Sequence, residues 1–190
     1  MKTYTSIFAI FFCLFMSCSR DVLDRTIFIP DPEDANLPVY SEWGYNSFGA
    51  IHERNYFVST SNIVPCKIVY DNGRLEFSLS GQYSMRTTTL TFSFPISEIK
   101  NLEDLAVLHD LNVNLSENST VIWDGVQVTV ITGKLHFKRF QLLRVDEKLN
   151  RIILSGVFEM RFLRNGLPET ISEGRFDMGI TGRDFHSFAN

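Results

Sequence analysis

The sequence is poor in cysteine and in positive charge, and both shortages exclude classes of protein. Only Cys13, Cys18 and Cys66 occur among 190 residues, so a small disulfide-rich fold is excluded. Lysine and arginine number 18 against 22 acidic residues, for a net charge of −4, and they form no basic cluster. Such a chain is a poor partner for nucleic acid, and electrostatics alone would not hold it on anionic lipid.

Motifs for metal binding and catalysis are missing as well. No two histidines stand at metal-ligand spacing and none neighbours a cysteine, so no metal or cofactor is predicted. The chain has no G-x-S-x-G motif and no phosphate-binding glycine loop. We therefore expect a protein that is not an enzyme.

A carboxylate-based hydrolase is the catalytic alternative, because a fold can bring together carboxylates that are distant in sequence. Four acidic residues lie on neighbouring predicted strands, although strand alternation turns most of them outward. They are Glu159, Glu169, Glu173 and Asp177.

No apolar run is long enough for a membrane-spanning helix, which needs about 20 residues. The longest is the ten-residue run at positions 7–16, IFAIFFCLFM, preceded by Lys2 and followed by the small residue Ser17. This is the pattern of a secretory signal peptide, which we expect to comprise residues 1–17.

The residues around Cys18 resemble the lipobox of bacterial lipoproteins. The segment reads Phe15-Met16-Ser17-Cys18, with phenylalanine where the usual box has leucine. The resemblance implies that Cys18 is the lipid attachment site and that acyl chains tether the protein to a membrane. Proline and acidic residues then follow, so residues 18–39 are expected to form the lipidated cysteine and a tether, and residues 40–190 a single domain.

Beyond residue 46 the apolar residues recur with a period of two, which is typical of half-buried strands. The clearest case runs from Arg151 to Phe162, where every second residue from Ile152 onward is apolar or glycine. Cys66 alternates with Ile68 and Tyr70, so we expect it to be a small buried hydrophobe with an unreactive thiol.

Three dipeptides between alternating segments predict tight hairpins, because their residues tolerate positive φ. They are Asn72-Gly73, Asp124-Gly125 and Asn165-Gly166. A capping residue at Asn101, followed by Leu102, Leu105 and Leu108, predicts one short helix. These patterns indicate an all-β fold: an antiparallel β-sandwich of about ten strands with one short helix. A closed or partly closed, lipocalin-like β-barrel is the alternative.

Aromatic residues supply the one candidate binding set. Trp43, Tyr45 and Phe48 cluster near the start of the domain, close to Tyr40. If exposed, they suit the binding of a sugar or a protein; otherwise they anchor the start of the domain against the sheet.

Three segments together resemble a large family of small lipoproteins from Bacteroidota. Residues 44–50 (GYNSFGA) resemble its G-x-N-T-F-G opening, residues 155–159 (SGVFE) its S-G-T-F-E strand, and residues 173–177 (EGRFD) its closing G-R-F-D strand. The resemblance implies a β-rich lipoprotein of unknown role at the outer membrane, facing the periplasm or the cell surface.

Three functions are consistent with this sequence. The first is a non-enzymatic surface module that binds a glycan or a protein. The second is a carrier whose barrel holds a lipid or another apolar small molecule, and the third is the carboxylate-based hydrolase. The lipid anchor and the lack of catalytic motifs favour the binding module.

Overall fold

The structure, a computed structural model, describes residues 25–189. The predicted signal peptide and the predicted lipid site at Cys18 lie outside the described residues. Within residues 25–189 the chain forms eleven strands and a 3₁₀ helix, Glu103–Leu108. In chain order the strands are β1 Ser47–His52, β2 Asn55–Val58, β3 Cys66–Asp71, β4 Arg74–Tyr83, β5 Arg86–Pro95, β6 Leu111–Asn114, β7 Thr120–Trp123, β8 Val126–Val145, β9 Lys148–Arg164, β10 Leu167–Ile180 and β11 Phe185–Ser187.

The strands pair in a ring, in the order β4, β2, β1, β10, β9, β8, β7, β5 and back to β4. These pairs are antiparallel, while β11 pairs with β3 in parallel. One connection in the ring is short, because β2 and β4 are joined by only two residue pairs. The other end of β4 pairs with β3. The predicted all-β sandwich is confirmed, with eleven strands where about ten were expected.

All three predicted hairpin turns are present, and their six residues have positive φ. Two further turns, at Ser84 with Met85 and at Asp146 with Glu147, adopt the same conformation without glycine. The predicted helix is present as a 3₁₀ helix. The Asn101 side chain accepts hydrogen bonds from the backbone of Glu103 and Asp104, and Leu105 and Leu108 are buried.

Aromatic side chains fill the space between the two faces of the sandwich. Phe77 lies within 4.9–6.4 Å, centroid to centroid, of the rings of Phe92, Phe137 and Phe176. Full burial of such a side chain contributes about 1.5–3 kcal/mol. The expected placement of Cys66 is confirmed: its side chain is buried in this core, and burial raises the pKa of its thiol.

Residues 26–45, which we call the strap, lie across the outer surface of β1 and β10. Leu37 is fully buried, and a Cβ atom at Gly49 would lie 2.3 Å from the Pro38 ring. Asp34 accepts a hydrogen bond from the Tyr56 hydroxyl at 2.9 Å, and Asp31 pairs with Arg175. Residues 26–39, part of the predicted tether, therefore pack on the domain, because Leu37 and the two carboxylates find partners there.

The two ends of the sandwich differ. The strap joins β1 at the end of the sandwich where β10 finishes, and we call this end the strap end. Opposite it lies the far end, with the turns at 124–125 and 165–166. The hairpin between β8 and β9, whose tip is at Asp146 and Glu147, lies at the strap end.

Candidate functional site

A buried carboxylate holds the part of the strap that carries the predicted aromatic residues. Strand alternation places Asp177 of β10 on the outer face, where the sequence predicted exposure. It is instead 2% exposed, because the strap covers it. Its carboxylate accepts hydrogen bonds from the Ser41 hydroxyl and from the backbone N–H groups of Trp43 at 3.1 Å, Gly44 at 2.7 Å and Tyr45 at 3.2 Å.

The three predicted binding aromatics have different environments. Trp43 is 74% exposed on the loop held by Asp177, and Tyr45 is half-buried. Phe48 is fully buried, with its ring 4.7 Å from that of Phe57, so it cannot belong to an exposed set. The expectation is wrong for Phe48, because β1 directs this side chain into the core.

Two adjoining cavities form what we call the outer groove, on the exposed side of β6, β8, β9 and β10. Their volumes are about 580 Å³ and about 320 Å³, and the Lys134 and Glu159 side chains line both. The larger cavity is lined by eight polar residues, whose side chains donate or accept hydrogen bonds, together with Val113, Gly133, Met160 and Ile171. Its polar residues are Asn112, Asn114, Thr132, Lys134, Glu159, Arg161, Thr170 and Ser172.

An ion pair separates the two cavities, since Lys134 Nζ lies 3.0 Å from Glu159 Oε1 in adjacent strands. Both side chains are more than half exposed, so the pair is worth at most about 1 kcal/mol and can open for a ligand. Tyr40 of the strap lines the smaller cavity, with Lys138 Nζ 4.8 Å from the centre of its ring. Burial raises the pKa of Tyr40 to about 12, so its hydroxyl stays protonated and donates to Glu42.

The four carboxylates considered for hydrolysis have separate partners. Asp177 holds the strap, and Glu159 pairs with Lys134. Glu173 pairs with Arg175 at 3.1 Å, and Glu169 lies 2.9 Å from Arg164 and 2.8 Å from His52. The fold thus engages each carboxylate with its own donor.

The outer groove was not identified from the sequence, because its residues are those that strand alternation assigns to a solvated face. The signal available was a set of polar residues at period two on three consecutive strands, β8, β9 and β10. Irregularities in pairing occur beside the larger cavity, between Val130 and Thr132 in β8 and between Ile171 and Gly174 in β10.

His52 is a second chemically notable residue, buried at the far end among three aromatic rings. Ring centroids of Tyr83, Trp123 and Phe162 lie 4.7–5.9 Å from that of the imidazole. Its Nε2 lies 2.8 Å from Glu169, whereas Nδ1 is buried without a hydrogen-bond partner among residues 25–189. Burial lowers the pKa of His52, and Glu169 opposes that shift only in part.

The buried imidazole predicts a loss of stability in mild acid. An unfolded histidine has a pKa of about 6.5, and the folded His52 has a lower one, so below pH 6.5 the unfolded state binds more protons. The free energy of unfolding is therefore expected to decrease as the pH falls from 6.5 to the folded pKa, by at most about 1.4 kcal/mol per pH unit for this proton.

Urea denaturation at several pH values between 5 and 7 measures this dependence. His52→Gln should flatten it, whereas His186→Gln, at an exposed position, should leave it unchanged. Equal slopes in wild type and His52→Gln would contradict the assignment.

Within residues 25–189 no group of three or more histidine, cysteine, aspartate or glutamate side chains is placed to hold a metal ion. His136 instead lies 2.8 Å from Asp110, and His109 accepts a hydrogen bond from the backbone of Phe140. No helix in the described part of the chain is long and apolar enough to cross a membrane. No protein-family model, no curated protein and no solved structure matches this chain.

Proposed function

We propose that this protein is a lipid-anchored, non-enzymatic module that binds a glycan in the outer groove. The observation that carries the proposal is the groove itself, an exposed concavity on rigid strands with polar side chains along its length and Tyr40 at one end. Concave surfaces with a few fixed polar groups are the usual form of a ligand site.

The chemistry of the groove favours a glycan over a protein partner. Asparagine, threonine and serine hydroxyl and amide groups both donate and accept hydrogen bonds, as sugar hydroxyls do. Lys134 and Arg161 add charged donors, and Glu159 adds an acceptor. A tyrosine ring offers an apolar face with a polar tip, which suits the mixed surface of a pyranose.

The carrier and the hydrolase have less support. An apolar ligand would need an interior space, but aromatic rings in mutual contact occupy the interior around Phe77 and around His52. A hydrolase needs two carboxylates that face one scissile bond. Glu159 and Glu173 both line the smaller cavity, but each is ion-paired with a neighbouring cation, and Glu169 and Asp177 line neither cavity. We therefore infer a binding role without catalysis.

The anchor completes the proposal. We infer that acylated Cys18 holds the module at the outer membrane, as its resemblance to the small lipoproteins of Bacteroidota implies. Arg25, the first described residue, follows Cys18 by seven positions. A seven-residue segment spans at most about 25 Å, so the domain would stay close to the membrane surface.

Groove variants test the binding site. The full chain is screened against immobilised α-glucan, xylan and mucin glycans, and the dissociation constant for the best of these probes is measured by calorimetry. Lys134→Ala and Arg161→Ala are each expected to weaken binding by about tenfold, since a hydrogen bond from a charged group contributes about 1.5–3 kcal/mol.

Arg54→Ala is the matched control, because Arg54 is an exposed arginine in the turn between β1 and β2. It should bind as wild type does. Failure to bind every glycan probe, or binding that both groove variants leave intact, would overturn the proposed site. Loss of binding in Trp43→Ala alone would move the site to the exposed tryptophan.

The anchor has its own test. Intact-mass analysis of the protein from native membranes is expected to show a chain that begins at Cys18 and carries added acyl mass. Cys18→Ala should abolish partition into detergent, because every acyl chain is carried by this one residue. It should leave thermal unfolding unchanged. A mature chain with a free, unlipidated N-terminus would contradict the anchor.

A further inference from the structure

Three consecutive apolar residues near the start of the strap face solvent. Ile27, Phe28 and Ile29 are 44%, 37% and 42% exposed. Two backbone hydrogen bonds fix this segment: Ile27 N–H donates to the Tyr45 carbonyl, and Val39 N–H donates to the Ile29 carbonyl, both at 2.8 Å. The exposure therefore belongs to a held conformation. We call residues 27–29 the apolar patch.

Further exposed apolar residues lie at the same end of the sandwich. Tyr45, the partner of Ile27, precedes β1 by two residues, and the first residue of β1 pairs with Asp177 near the end of β10. This places the patch at the strap end. Val145, at the tip of the hairpin between β8 and β9, is exposed there too, as is Phe188, whose N–H donates to the Tyr70 carbonyl.

The outer groove begins beside the strap, where Tyr40 and Arg175 line its smaller cavity, and extends toward the far end. Its larger cavity is lined by Thr132, Arg161 and Thr170, which pair across β8, β9 and β10 within a few residues of the far end. The larger cavity thus lies nearer the far end than the patch does, while exposed apolar residues occur at both ends, since Val126 and Leu167 lie at the far end.

The chain itself indicates what covers the patch. Nine positions separate Ile27 from Cys18, and nine residues span at most about 30 Å even when fully extended. Any membrane that holds Cys18 is therefore within reach of the patch. Attachment through one end raises the effective concentration of the patch at that surface, so a small apolar area is enough for contact.

We propose that the apolar patch rests in the interface of the bilayer that carries acylated Cys18. This inference depends on the proposed anchor but not on the glycan specificity. Exposed isoleucine and phenylalanine side chains gain free energy on leaving water for the boundary of the acyl chains. Contact at the strap end turns the larger cavity of the outer groove, which lies toward the far end, away from the membrane and toward its ligand.

Tryptophan fluorescence in lipid vesicles tests the contact. Phe28→Trp is made in a chain that carries Trp43→Phe, which leaves the buried Trp123 as background. The lipidated protein is reconstituted in vesicles of phosphatidylcholine with brominated acyl chains. We expect the emission of the indole introduced at position 28 to shift to shorter wavelength and to be quenched severalfold more strongly than in unbrominated vesicles.

Leu167→Trp in the same background is the control, since Leu167 is 68% exposed and begins β10 at the far end. Its emission should be the same in both kinds of vesicle. Adding Ile27→Asn and Ile29→Asn to the Phe28→Trp chain should remove most of the quenching, while partition into detergent stays unchanged.

Equal quenching at positions 28 and 167, or none at either, would overturn the inference. So would burial of the position-28 indole in a second copy of the chain, which sedimentation in detergent detects as a dimer. If intact mass shows no acyl group, a chain that starts at Cys18 is coupled through that thiol to a maleimide lipid, because Cys66, the other cysteine of that chain, is buried. The patch is then tested separately from the natural anchor.

Discussion

Asp177→Ala is expected to lower the free energy of unfolding by about 3–5 kcal/mol, because it removes the acceptor of four hydrogen bonds at a buried position. The three backbone N–H groups would lose their hydrogen-bond acceptor while the strap still covers the site. The strap between Ser41 and Tyr45 should then loosen, which raises the mobility of Trp43. Urea denaturation gives the change in stability, and the fluorescence anisotropy of Trp43 gives the change in mobility.

Asp177→Asn separates charge from shape in this experiment. The amide keeps one oxygen acceptor but places an NH₂ group against backbone donors, so we expect an intermediate loss of stability. Glu76→Ala removes an exposed carboxylate from β4 and should change stability by less than about 0.5 kcal/mol. If Asp177→Ala behaves like Glu76→Ala, the carboxylate does not hold the strap.

Leu37→Ala is expected to cost about 2–4 kcal/mol of stability, although Leu37 lies in a segment with the composition of a linker. Its side chain is fully buried over Gly49, where the surrounding strands cannot close the resulting space. A leucine in a free tether would contribute nothing. The substitution therefore distinguishes a strap that is part of the domain from a flexible spacer.

Leu167→Ala removes the same atoms from an exposed position and should be close to neutral. Thermal unfolding of the two variants beside wild type gives the comparison. Equal melting temperatures for Leu37→Ala and wild type would show that the strap does not pack on the domain in solution.

The strands were predictable from the sequence because the alternation of apolar residues that indicates each strand lies within one short segment of the chain. In β9, the alternation from Ile152 to Phe162 corresponds to a row of buried side chains. The three turns that contain glycine were recognisable from residue types that accept positive φ. The turns at Ser84 with Met85 and at Asp146 with Glu147 were not, because there the pairing of long strands imposes the conformation on ordinary residues.

The sites were less predictable, because they depend on what lies over the outer face of each strand. Alternation directs Asp177 outward, but the strap buries it. The period of two also predicts that the Phe48 side chain points inward. Phe48 is a candidate binding residue only through its closeness in sequence to Trp43. The outer groove is lined by residues of four strands, and no local pattern shows how those strands pair.

The sequence by itself determined the all-β class, the hairpin turns, the short helix and the buried state of Cys66, since each follows from the chemistry of neighbouring residues. Only the tertiary structure decided that the strap belongs to the domain, that Asp177 holds Trp43 in an exposed position, and that polar residues of β6, β8, β9 and β10 enclose a groove. The first two features join residues more than a hundred positions apart, as Asp177 does with Trp43, and the groove joins β6 to strands that are not its neighbours in sequence, so all three are set by the packing of the whole chain.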